Sequence, residues 1–93
     1  MNAKTVKIEV FGKVQGVFYR ASTKEKAIEL GLTGKVKNMN DGSVYIEATG
    51  NLEKLNELLE WCHVGPKFAN VTSVNSEWVE EPSNYDDFRI EYE

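Results

Sequence analysis

The chain contains segments with the apolar spacing of a strand and segments typical of a helix. The order of these segments restricts the fold more than any other feature of the sequence. Residues 6–10 are apolar at every second position, which is typical of a strand with one buried face. Residues 21–30 are instead good helix formers, with Ala27 and Ile28 as candidates for the inward face. A glycine-containing loop at 12–19 separates the two segments. The chain is therefore expected to begin with a strand followed by a helix.

The segments after the first helix are separated by residues that favour turns. Gly31 stands where a helix would end, and residues 33–39 follow with the pattern of a second strand. Asp41-Gly42 is typical of a tight hairpin turn, because both residue types tolerate the φ angles that such turns need. Residues 43–49 alternate again. The second and third strands are therefore expected to form a β-hairpin.

The second half of the chain predicts one helix and one or two strands. Asn51 is a candidate N-cap for the helix. The apolar stripe of that helix consists of Leu52, Leu55, Leu58, Leu59 and Cys62. Residues 70–80 resemble a strand with imperfect alternation, which predicts a β-bulge. An acidic loop at 81–87 then precedes a short strand at 88–92.

The order β-α-β-β-α-β predicts an α+β fold, a ferredoxin-like βαββαβ sandwich formed by residues 1–93 as a single domain. Two helices are expected on one face of a four- to five-stranded antiparallel sheet. Right-handed crossovers make the first two strands parallel and place the third between them. The loop after Phe11 and the residue Asn38 then lie at the same edge, about 10 Å apart in backbone.

Charge and composition exclude several partners. The chain has 93 residues and a formal net charge of −4, which disfavours nonspecific binding of nucleic acid. No apolar run approaches the ~20 residues of a membrane span, and no secretory signal is visible at the start. Cys62 is the only cysteine, so an intrachain disulfide is excluded. These observations favour a cytoplasmic protein without a nucleic-acid or membrane partner.

The inventory of reactive side chains excludes common catalytic classes. The single histidine, His63, adjoins Cys62, and neighbouring residues on a helix do not face each other. Cys62 also belongs to the leucine stripe, so we expect an inert core thiol. No cluster has the spacing of zinc ligands, and no Walker-type lysine motif occurs. The remaining possibility is a site that binds an anion and has no nucleophile, base or metal. Such a site can catalyse only the reaction of a substrate that is already activated.

Residues 12–20, with the sequence GKVQGVFYR, could hold such an anion. Gly12 and Gly16 permit backbone conformations in which successive N–H groups point into a concave nest. Arg20 stands at the expected start of the helix, where a cation opposes the helix dipole unless an anion is bound. Tyr19 is interpreted as a packed aromatic residue. An ordinary glycine turn with a solvated arginine remains an equal alternative on these grounds.

A second candidate is Asn38, at the end of the second strand. Its carboxamide offers both a donor and an acceptor, and could orient a water molecule. A turn-forming asparagine before the hairpin is the alternative. Lys35 and Lys37 lie on the opposite face from Val36, and are either solvated or raise the potential felt by an anion.

Both segments resemble motifs of the acylphosphatases. Residues 12–20 are similar to the family motif G-x-V-Q-G-V-x-x-R, in which the residue before the arginine is often aromatic, and residues 34–38 are similar to G-x-V-x-N. The likeness covers nearly the whole chain. It implies a ferredoxin-like fold, a monomer, and metal-independent hydrolysis of small acyl phosphates to a carboxylate and inorganic phosphate. Lys35 departs from the family, which often has tryptophan at that position.

The resemblance also implies the residues of the site, without a cofactor and without a phosphoenzyme. Arg20 and Asn38 would be catalytic, Arg20 by holding the phosphoryl group and Asn38 by orienting the attacking water. The phosphoryl group would also be held by backbone amides, namely those of Gln15, Gly16, Val17, Phe18, Tyr19 and Arg20. Acetyl, carbamoyl and phosphoglyceryl phosphates all suit this interpretation. An RNA-binding module and an anion sensor without turnover are the alternatives.

Overall fold

Seven elements follow one another in the computed structural model, which describes residues 3–82 and 84–92. They are β1 (Lys4–Lys13), α1 (Tyr19–Glu29), β2 (Thr33–Asn38), β3 (Val44–Gly50), α2 (Leu52–Cys62), β4 (Asn70–Val79) and β5 (Phe88–Glu91). The order agrees with the sequence prediction, with the last strand in two pieces. The N-cap prediction is confirmed, because Oδ1 of Asn51 accepts a hydrogen bond from the backbone N–H of Glu53 at 2.8 Å.

The strands form one sheet in the order β4-β1-β3-β2-β5. β3 lies between β1 and β2 and is antiparallel to both, so the predicted ferredoxin-like topology is confirmed. The sheet is mixed rather than wholly antiparallel, because β5 pairs parallel with β2, with Val36 opposite Ile90. β4 ends at the end of the sheet where β2 begins. The chain then crosses that end of the sheet and enters β5, which runs in the same direction as β2.

The core lies between one face of the sheet and the two helices. The fully buried aliphatic residues on the strands are Val6, Ile8, Val10, Val36, Val44, Ile46 and Ala48. Leu55, Leu58 and Cys62 of α2 are buried against them as the stripe predicts, whereas Leu52 is 44% exposed. In α1, Ala27 is buried but Ile28 is 57% exposed, so the prediction for Ile28 is wrong. Adjacent helical residues point about 100° apart, and the buried face of α1 follows Thr23 and Ala27.

The predicted bulge occurs in β4. Phe11 pairs with Ser73 and Gly12 pairs with Val71, which leaves Thr72 as the extra residue. Gly12 therefore belongs to β1 rather than to the loop that follows. The bulge lies at the end of β1 that leads into the candidate loop, which begins at Val14.

Candidate functional site

Both motifs contribute to one cavity, which lies at the end of the sheet where β1 and β2 finish. Its volume is about 270 Å³. Its lining consists of Val14, Gly16, Phe18, Tyr19, Arg20, Ala21, Asn38, Ile90 and Tyr92. The cavity therefore joins the loop after β1, the start of α1, the end of β2 and the segment around β5. Arg20 and Asn38 both line it, as the predicted topology requires.

The loop before α1 has the backbone of an anion-binding turn. Gly16 has a φ of 77° and Phe18, the N-cap of α1, has φ 66° and ψ 22°. No side chain caps the helix, and its first turn contains no acidic residue. Within residues 3–82 and 84–92, no amide of residues 15–20 donates to a backbone or side-chain acceptor. These N–H groups and the positive end of the helix dipole are thus available to an anion.

The loop is fastened to the β2–β3 hairpin by the side chain of Gln15. Its Nε2 donates to the carbonyl oxygen of Met39 at 2.8 Å and to that of Ser43 at 2.9 Å. Val14 and Val17 are buried in the core beside it. Because Met39 directly follows Asn38, Gln15 fixes the loop relative to the residue on the other side of the cavity.

We expect Gln15→Ala to lower the free energy of unfolding by about 2 kcal/mol, at roughly 1 kcal/mol for each lost hydrogen bond. The measurement is urea denaturation followed by circular dichroism. Gln15→Glu is the matched variant. It keeps the shape but presents oxygen atoms to the carbonyls of Met39 and Ser43, so it should be at least as destabilised. An alanine variant with wild-type stability would show that the two bonds do not hold the loop.

The other end of the loop is fastened by Tyr19, which is 1% exposed. Its hydroxyl donates to the carbonyl oxygen of Cys62 at 2.8 Å, and its ring packs against Trp61 with centroids 5.4 Å apart. Oγ1 of Thr23 donates to the carbonyl oxygen of Tyr19 at 2.8 Å. Burial raises the pKa of Tyr19 far above its usual value. Tyr19 is thus a packed anchor, as the sequence interpretation has it.

Arg20, the second residue of α1, is half-buried and lies against the ring of Tyr92. The guanidinium carbon is 5.0 Å from the ring centroid, which is within the range of a cation–π contact. Among the described residues that line the cavity, Arg20 carries the only charge. The cavity therefore contains a cation, a helix N-terminus and no carboxylate, which favours a small anion.

Asn38 is the last residue of β2 and pairs with Val44 of β3. Its Oδ1 is buried and accepts no hydrogen bond in the part of the chain that the structure describes. A buried acceptor without a partner costs about 1–3 kcal/mol, so its presence in the cavity needs a reason other than folding. A bound water molecule or substrate could supply the missing donor.

Gly34, the first residue of the second motif, has a structural explanation. A Cβ atom at this position would overlap the backbone carbonyl of Glu47 in β3, and φ is 144°. The glycine therefore lets β2 approach β3 closely. Two residues of the motif thus have different tasks, since Gly34 packs the strand and Asn38 reaches the cavity.

Lys35 does not reach the cavity. Its Nζ lies 3.4 Å from a carboxylate oxygen of Glu91 and about 6 Å from the rings of Tyr45 and Tyr85. Neither alternative from the sequence describes this lysine. It forms an ion pair with Glu91 outside the site, so it is neither simply solvated nor in contact with an anion in the cavity. The departure from the family at Lys35 therefore leaves the lining of the cavity unchanged.

Sequence reasoning missed three features of the cavity. The side chain of Gln15 holds the hairpin, whereas only its amide was expected to matter. Ile90 and Tyr92 join the lining because β5 pairs with β2, a pairing that the alternation at 88–92 does not specify. Phe18 was expected to contribute only its backbone amide, but the residue also lines the cavity and is 76% exposed.

Other chemistries find little support in the described ranges. No group of three or more His, Cys, Asp or Glu residues there could hold a metal ion. Burial raises the pKa of the Cys62 thiol to about 12, as expected for an inert core cysteine. No helix among the described residues has the length and apolar character needed to cross a membrane.

The fold and the cavity together define a ferredoxin-like domain with an edge cavity suited to a small anion. A family model described as Acylphosphatase matches residues 6–90. An acylphosphatase of Marinobacter nauticus is 52% identical over 80 residues, which cover 86% of this chain and 87% of that protein. The chain therefore belongs to the acylphosphatase family. Acylphosphatases are hydrolases that act on acid anhydrides. As a member of the family, this protein belongs to the same enzyme class.

Solved structures give the same result. A solved acylphosphatase from Coxiella burnetii has a TM-score of 0.92 and 43% identity, covering 97% of this chain and 94% of that one. Another from Bacillus subtilis has a TM-score of 0.93 and 32% identity, covering 96% and 99%. The similarity in both cases extends over nearly the full length of the two chains.

Proposed function

We propose that the protein hydrolyses small acyl phosphates to a carboxylate and inorganic phosphate without a metal ion. One observation carries the proposal: the same cavity contains a cation, loop amides and an asparagine oxygen, and neither these amides nor this oxygen has a partner among the described residues. Its volume of about 270 Å³ is just below the range of roughly 300–1,000 Å³ typical of ligand pockets. A small substrate is therefore favoured.

The phosphoryl group is held by the loop and by Arg20. The backbone amides of Gln15, Gly16, Val17, Phe18, Tyr19 and Arg20 donate to its oxygen atoms. The guanidinium of Arg20 adds two parallel charge-assisted hydrogen bonds. This proposal is supported by the left-handed backbone at Phe18 and by the uncapped start of α1. Because Gln15 and Tyr19 fix the loop, the donors need little rearrangement when charge develops in the transition state.

Asn38 orients the attacking water molecule. Its Oδ1 accepts a hydrogen bond from the water, whose oxygen forms a bond to phosphorus while the bond between phosphorus and the acyl oxygen breaks. The carboxylate leaves with the electron pair, and the water proton passes to a phosphate oxygen. A carboxylate is a stable leaving group, so positioning and charge stabilisation suffice without a strong general acid.

The test is hydrolysis of acetyl phosphate and benzoyl phosphate by the full chain, with and without a chelator. We expect turnover of at least one substrate, and the same rate within about twofold after chelation, because no step uses a metal. Turnover that disappears with the chelator and returns with added metal would contradict the metal-independent reaction. Binding of inorganic phosphate without any turnover would instead support an anion sensor.

We also propose that residues 1–93 form one acylphosphatase-like domain that acts as a cytoplasmic monomer. The match of the family model over residues 6–90 supports the single domain. The buried free thiol of Cys62 agrees with a reducing compartment. Sedimentation of the full chain and fractionation of cells that express it are the measurements for these two points.

A further inference from the structure

Phe18 has properties that folding alone does not explain. Its side chain is 76% exposed, so its apolar ring gains little from burial. Its backbone has φ 66°, which disfavours any residue with a Cβ atom and suits glycine. A large aromatic residue thus occupies a position where glycine would be better for the fold. Phe18 is one of the residues that line the candidate cavity, so a benefit in ligand binding would explain it.

Tyr92 presents a second uncovered ring to the same cavity. Its side chain is 74% exposed, and the guanidinium of Arg20 lies against it at 5.0 Å. Two exposed aromatic residues therefore line the same cavity as the cation that is proposed to bind the phosphoryl group. An anion site alone requires neither ring, since phosphate oxygens bind N–H groups and cations.

We propose that Phe18 is a specificity-determining residue, and that with Tyr92 it forms an apolar wall for the acyl group. The inference rests on the proposed function. Once Arg20 and the loop hold the phosphoryl group, the attached acyl group must lie beside it, where Phe18, Ile90 and Tyr92 supply the uncharged lining. The favoured substrates are acyl phosphates with a flat aromatic or other apolar acyl group, because such groups stack on aromatic rings.

The experiment compares kcat/KM for benzoyl phosphate with kcat/KM for acetyl phosphate. Both substrates have the same phosphoryl group, so any effect of a variant on phosphoryl binding cancels in the ratio of the two values. We expect the ratio to fall about tenfold in Phe18→Gly, which is the usual scale for losing an apolar contact to a substrate. Phe18→Tyr keeps the ring and should keep the ratio. Glycine accepts the backbone of this position, so the variant should fold.

Two further variants complete the design. Tyr92→Ala leaves the loop backbone unchanged and should lower the ratio in the same direction. Phe68→Ala is the matched control, since Phe68 is 66% exposed and lies outside the cavity lining. An unchanged ratio in Phe18→Gly, or an equal fall in Phe18→Tyr, would overturn the inference while the proposed function stands. A wild-type chain that hydrolyses neither substrate would overturn the proposed function itself, and the inference with it.

Discussion

Arg20→Ala is expected to lower kcat/KM for acyl phosphates about a thousandfold, or ~4 kcal/mol, the scale of a lost transition-state donor. The guanidinium is the only charge among the described cavity-lining residues, so no neighbouring cation there can replace it. Inhibition by inorganic phosphate should weaken in parallel, because the same group holds product and substrate. Steady-state kinetics with phosphate as inhibitor measure both effects.

Arg89→Ala is the control for this variant. Arg89 pairs with Asp87 at 3.0 Å, is exposed, and lies outside the cavity lining. Its loss removes the same charge from the protein without touching the site, so kcat/KM should stay within about twofold of wild type, given the small energies of exposed ion pairs. Arg20→Lys should fall between wild type and alanine, since it keeps the charge but loses the two parallel hydrogen bonds. If Arg20→Ala retains wild-type activity, the assignment of the site is wrong.

Asn38→Ala should separate turnover from binding. We expect kcat to fall about a hundredfold, the usual cost of a misplaced reactant. Inhibition by phosphate should change little, because the phosphoryl group is held by the loop and Arg20. The variant should not lose stability, since the Oδ1 that it removes is buried without a partner among the described residues. Kinetics and urea denaturation test the two halves of this expectation.

Asn56→Ala is the matched control for Asn38. Asn56 lies exposed on α2, far along the chain from both motifs, and its replacement should leave kcat and stability unchanged. Phosphate inhibition that weakens as much as kcat falls would mean that Asn38 binds the phosphoryl group rather than water. A lowered free energy of unfolding would mean that the amide contributes to the fold after all.

Local patterns were sufficient to predict most of the fold. The Asp41-Gly42 turn predicts that β2 pairs with β3, and the crossover rule places β3 beside β1; the structure agrees with both. The direction of β5 was not predictable in this way. Alternation at residues 88–92 specifies a buried face but carries no information about whether the neighbouring strand is parallel. Ile28 was misplaced because a short helix pattern leaves its inward face uncertain by one residue.

The parts of the site that follow from single motifs and from strand order could be predicted. Strand order placed the loop and Asn38 at one edge, and both line one cavity in the structure. The side-chain bonds of Gln15 and the exposure of Phe18 were not predictable, because they depend on how the loop turns through residues with positive φ. Tyr92 was not foreseeable as a cavity residue without the position of β5.

The assembly of the cavity from distant segments has a consequence for the order of events in folding. The loop, the end of β2 and the segment around Tyr92 are contributed by the beginning, the middle and the end of the chain. Closing such long loops of unfolded chain is entropically costly and slows folding. The complete cavity therefore requires the segment around Tyr92 to be docked beside both motifs. The loop, Arg20 and Asn38 all belong to the first half of the chain, so the proposed acyl wall depends on a late segment of the sequence that the proposed phosphoryl site does not use.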